Sequence, residues 1–93
     1  MLSDAERRRW AEVFASLASE ARLRIVEMLA EGKLECQEIL DEFDLSQPAI
    51  SYHLGKLERA GVLVKERKGT RNCYRLARDL YRLLGLFEKE DGR

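Results

Sequence analysis

"LSQPAISYHLGKLERAG", residues 45–61, reads as one helix with a marked start, a marked stop and a side left without apolar cover. Ser46 offers a capping oxygen, Pro48 falls in the first turn where its missing N–H costs nothing, and Gly61 ends the run. Ile50, Leu54 and Leu57 recur at helical spacing and form an apolar stripe. The opposite side carries Ser51, Tyr52, Gly55, Lys56 and Arg59. A polar, basic and aromatic face with a glycine in its middle is not needed to close a small core, so it points to a partner.

Working outward, the upstream sequence holds three more helical signals. Ser3 with Glu6 three residues later forms a capping box, followed by Trp10, Val13, Phe14 and Leu17 at helical spacing. Ser19 caps a second helix that carries Leu23, Ile25, Val26 and Leu29 and stops at Gly32. A shorter third helix aligns Cys36, Ile39, Leu40 and Phe43, and Phe43-Asp44-Leu45-Ser46 turns tightly into the capped helix. Helix, short turn and capped helix over residues 35–60 make a helix-turn-helix. Downstream, residues 62–76 hold two β-branched and aromatic runs around Lys68-Gly69-Thr70-Arg71, the pattern of a hairpin. A last helix over 77–88 carries Leu80, Leu83, Leu84 and Phe87. The expected fold is one domain over residues 1–93, mainly α with a small β-hairpin: a winged helix-turn-helix.

Composition narrows the function. In 93 residues there is room for one modest core and not for a second, catalytic domain. Hydrophobic residues make up 45%, enough for a globular fold, and no run approaches the roughly 20 apolar residues of a membrane span. "MLSDAERRRW" lacks the apolar centre of a signal peptide, and two cysteines are too few for a disulfide framework. These features predict a cytoplasmic protein with reduced thiols and no membrane partner. One histidine, no nucleophile–base pair and no phosphate loop argue against an enzyme, and no cofactor is expected.

Net charge is zero, yet it is segregated. Residues 47–75 carry seven basic and two acidic side chains, a net of +5; residues 26–45 carry seven acidic and one basic, a net of −6. A basic face on a neutral body is the footprint of a polyanion binder, although two solvated helix faces would give the same numbers. Double-stranded DNA suits the helix chemically, because a major groove admits an α-helix and short polar side chains near its start reach base edges. The candidate DNA-binding residues are Ser46, Gln47, Ser51, Tyr52, His53, Lys56 and Arg59 on the helix, with Arg67, Lys68 and Arg71 at the hairpin. Gly55 would let the backbone approach the sugar-phosphate strand. Blander roles stand beside these: His53 can pack at the edge of the apolar stripe, and Lys56 and Arg59 can pair with nearby acids.

"FASLASEARLRIVEMLAEGKL" followed by "LSQPAISYHLGKLERAGVLVKERKGTRNCYRL" resembles the ArsR/SmtB family of small winged-helix transcriptional repressors, from about Phe14 to Leu84. The resemblance implies a homodimer on a palindromic operator, with the serine, glutamine and histidine positions of the helix facing DNA. A two-fold dimer through the terminal helices also follows from size. One module covers only about 600–1,000 Å² of DNA, and two copies place their helices in grooves about 34 Å apart. Trp10, Val13, Phe14, Leu80, Leu84 and Phe87 are the candidate interface, unless they serve only to close the monomer core.

The family's metal sites do not carry over. Where one uses Cys-x-Cys, this chain has Glu35 and Gln37 around Cys36; where another uses Asp-x-His, it has Asp79-Leu80-Tyr81. No metal is expected. Cys36 and Cys73 leave a thiol-based reading, redox or soft-metal sensing, with Arg71 and Arg75 beside Cys73 favouring thiolate. The function read from the sequence is a repressor acting by promoter occupancy. The rivals are that thiol sensor and, from another class, a winged-helix protein-interaction module.

Overall fold

The structure is a computed structural model describing residues 1–32 and 34–80. The order is α1 (Asp4–Leu17), α2 (Glu20–Leu29), β1 (Leu34–Glu35), α3 (Cys36–Asp41), α4 (Gln47–Arg59), β2 (Leu63–Lys68) and β3 (Arg71–Leu76), and residues 78–80 begin a further helical turn. This is the expected winged helix-turn-helix.

The caps form as the side-chain chemistry requires. The Glu6 N–H donates to Ser3 Oγ at 3.1 Å while the Ser3 N–H donates to Glu6 Oε1 at 2.8 Å, which satisfies two otherwise orphaned backbone donors of α1. Ser19 Oγ accepts from the Arg22 N–H, and Ser46 Oγ accepts from the Ala49 N–H, both at 3.2 Å. At the far end of α4 the Val62 N–H reaches the Leu57 carbonyl at 2.9 Å and the Gly61 N–H reaches Glu58 at 3.0 Å. That Schellman pair needs a left-handed residue after the cap, and Gly61 supplies it at φ +80°. The chain is thereby turned from α4 straight into β2.

The sheet has three strands in the order β1-β3-β2, all antiparallel neighbours. β2 and β3 pair from Leu63↔Leu76 to Lys68↔Arg71, and Gly69 takes the tight turn at φ +63°. β1 was not anticipated from the sequence. Its two residues have no strand signature of their own; they pair because the α2–α3 connection runs alongside β3, Leu34 facing Tyr74 and Glu35 facing Cys73.

One core joins all elements: Val13, Ile25, Val26, Leu29, Ile39, Ile50, Leu54, Leu57, Val62, Leu63, Tyr74, Leu76 and Leu80. The α4 stripe is its centre, with Ile50 and Leu57 fully buried and Leu54 nearly so. The expected dimer surface needs correction here. Val13 and Leu80 are fully buried within the protomer, because α1 and the turn after β3 close the core with those side chains, so neither can meet a second copy. Phe14 is 55% exposed, and Trp10 lies beside it, ring centroids 6.2 Å apart, half-buried against the core. Leu84 and Phe87 lie outside the described residues. Among the described residues no helix is long and apolar enough to cross a membrane.

Candidate nucleic-acid interface

α4 buries Ile50, Leu54 and Leu57 and turns Ser46, Gln47, Ser51, Tyr52 and Arg59 to solvent. Helical spacing alone produces this division, since three core positions on one stripe force the intervening residues outward. Tyr52 is 56% exposed, a large aromatic without core contact, with the Lys56 ammonium 5.7 Å from its ring centroid. Ser46 has two tasks: its oxygen already accepts the cap bond, leaving the hydroxyl hydrogen free to donate outward.

Gly55 lies in the middle of α4. Its φ is ordinary, and a Cβ there would meet only the flexible end of Arg59, at 3.3 Å. The glycine therefore leaves room for the guanidinium one turn on. Gly55→Ala is expected to stabilise the fold by about 0.5–1 kcal/mol, because alanine loses less backbone entropy in a helix and Arg59 can swing aside. A urea unfolding midpoint that does not rise would show the site is tighter than this.

The wing is less cationic than its composition suggests. Arg71 Nη1 lies 3.1 Å from Glu35 Oε2, Arg75 Nε 3.1 Å from Glu66 Oε2, and Lys65 Nζ 4.0 Å from Glu58 Oε1. Arg67 Nε donates to the Gly69 carbonyl at 3.2 Å, across the turn. Of the seven basic residues over 47–75, Lys56, Arg59, Arg67 and Lys68 have no ion-pair partner among the described residues. Arg71 is paired with Glu35 at the β1 end, and its side chain remains 71% exposed. Lys56 and Arg59 line a shallow groove against α1 together with Glu12, Ala15, Ser16 and Ala60.

His53 is half-buried, and its Nδ1 lies 3.2 Å from Arg22 Nη1 on α2. Burial first, and the guanidinium second, push its pKa below the ordinary imidazole value. The ring is thus part of an internal contact as well as an edge of the outer face. Arg22 went unnoticed in the sequence because a partner 31 positions away leaves no local spacing signal.

The surroundings expected for a reactive thiol are not present. Cys73 is 7% exposed, and the two arginines that were to activate it are engaged by Glu35 and Glu66. Burial pushes the Cys36 thiol up, away from the thiolate form. Among the described residues no three His, Cys, Asp or Glu side chains converge as a metal-ligand group.

Residues 19–65 match the model of bacterial regulatory proteins of the arsR family. An HTH-type transcriptional regulator of Methanocaldococcus jannaschii is 39% identical over 70 residues, 74% of this chain and 79% of that one. The arsenic resistance transcriptional regulator ArsR1 of Pseudomonas putida is 45% identical over 65 residues, 69% of this chain but 51% of its own length, so the chain spans about half of that relative. Among solved structures, the homodimeric winged helix-turn-helix DNA-binding domain Mb0332 (fragment 1–100) of Mycobacterium bovis superposes with a TM-score of 0.83 at 29% identity, covering 98% of this chain and 88% of that one. The family match spans the whole helix-turn-helix and the first half of β2, the same elements that carry the outward polar face. This chain belongs to the arsR family of bacterial regulatory proteins.

Proposed function

We propose that the chain binds double-stranded DNA as a homodimer at a palindromic operator in the cytoplasm and represses transcription by occupying the promoter. The observation that carries this reading is the outward face of α4. Ser46, Gln47 and Ser51 are exposed at its N-terminal half, while four cations without carboxylate partners flank them on α4 and the wing. Short polar side chains at a helix start read base edges, and cations beside them hold phosphates and set the register. The family is one of regulators rather than enzymes.

Dimerisation supplies the second half-site. Phe14, exposed on α1 beside Trp10, is an apolar patch suited to a two-fold contact. A footprint on the DNA upstream of the protein's own gene should show two protected half-sites about one helical turn apart, with two protomers per duplex by sedimentation. A single protected half-site, or a monomer at micromolar concentration, would overturn the dimeric reading.

Lys68→Ala should weaken binding to all sequences alike and reduce the salt slope of log K by about 2 for the two copies, as each removes one phosphate contact. Arg71→Ala should do less, because its guanidinium is already held by Glu35. Titrations at several salt concentrations separate the two; an equal effect would mean that the Glu35 pair opens on DNA.

A further inference from the structure

We propose that Arg22, which is not on the DNA-facing surface of α4, is a positioning residue for it: its guanidinium fixes the His53 ring so that Nε2–H is presented as a hydrogen-bond donor to DNA. The inference rests on the DNA-binding reading above and adds a specificity determinant to it.

The geometry is a three-way tie. Arg22, in the first turn of α2, has its own N–H on the Ser19 cap, donates Nε to the Ser16 carbonyl at the end of α1 at 2.6 Å, and places Nη1 3.2 Å from His53 Nδ1 on α4. Ser16 is itself buried, its hydroxyl donating to the Val13 carbonyl at 2.7 Å, so the anchor is rigid. A guanidinium has donors only, which makes Nδ1 the acceptor. A neutral ring that accepts at Nδ1 carries its proton on Nε2. Tyr52 stands edge-on to the same ring, ring centroids 5.6 Å apart. Among the described residues no carboxylate stands within ion-pair distance of the ring to favour its charged form, and Nε2 has no hydrogen-bond partner. Burial and the adjacent cation both keep the imidazole neutral. Lysine cannot substitute: its single ammonium cannot hold the Ser16 carbonyl and the ring with the planar fork that arginine offers.

The chain has one histidine, so its ring nitrogens can be read without assignment ambiguity. The test combines nitrogen NMR of His53 in the unsubstituted protein with a double-substitution cycle on DNA. The probe is a duplex enriched by the unsubstituted protein from a random-sequence pool. The expected spectrum shows Nε2 protonated and Nδ1 bare at neutral pH, and Arg22→Lys should give a mixture of tautomers in a still folded protein. Arg22→Lys should weaken binding of the dimer about 25-fold, about fivefold for the one ordinary hydrogen bond lost in each of the two protomers, and should have no further effect in a His53→Ala background. A ring protonated on Nδ1 in the unsubstituted protein would overturn the proposal without any variant. So would an Arg22→Lys loss that persists undiminished beside His53→Ala, since Arg22 would then act on DNA directly. If the unsubstituted protein enriches no duplex, the DNA-binding reading fails and takes this proposal with it; that failure is recognised because it precedes any substitution.

Discussion

Leu57→Ala is expected to lower the urea unfolding midpoint by roughly 2 M, from a loss of about 3 kcal/mol over a slope of about 1.5 kcal/mol per molar. Leu57 is fully buried in the last turn of α4, and its carbonyl also accepts the Val62 bond that turns the chain into the wing. It belongs to one core with residues of several elements, including Ile25 and Leu29 of α2 and Leu76 of β3, so a cavity there is not readily closed. A domain of this size has about 5–15 kcal/mol in total, and the substitution consumes a large part of it. Unfolding at one fixed protein concentration, followed by circular dichroism, checks this. A midpoint within a few tenths of a molar of the parent would mean that α4 is not the element on which the core is built.

The opposite face of the same helix should behave in the opposite way. Gln47→Ala combined with Ser51→Ala is expected to leave the unfolding midpoint unchanged, because both side chains are exposed and neither serves the cap. Discrimination between the operator and unrelated DNA should instead fall by about 1–3 kcal/mol for each lost base contact. Glutamine pairs with two positions on an adenine edge, so the change should be concentrated at particular base pairs rather than spread along the site. Competition titrations against operator variants measure it. A uniform loss on all sequences would place these residues on phosphates instead, and no loss would remove the helix start from the interface.

What could be read in advance depended on how local its cause is. The capping box at Ser3 and Glu6, the Ser46 cap, the Gly61 stop and the α4 stripe each arise from residues a few positions apart, and all stand where sequence placed them. The missed features arise between distant segments. β1 exists because β3 offers an open edge, and Arg71 is paired with Glu35 because that residue lies across the same pairing. Val13 shows another limit: helical spacing identifies an apolar stripe but does not say whether a protomer or its copy covers it. Charge counting had the same weakness. Seven basic residues over 47–75 became four without carboxylate partners once three carboxylates were found beside them.

The sharpest test is the salt dependence of affinity for an enriched duplex, measured on the unsubstituted protein. With Lys56, Arg59, Arg67 and Lys68 of two protomers each neutralising a phosphate, log K should fall against log salt with a slope of about −7. A slope near zero, or binding that does not favour duplex DNA over other polyanions, would contradict the assignment of this face to DNA.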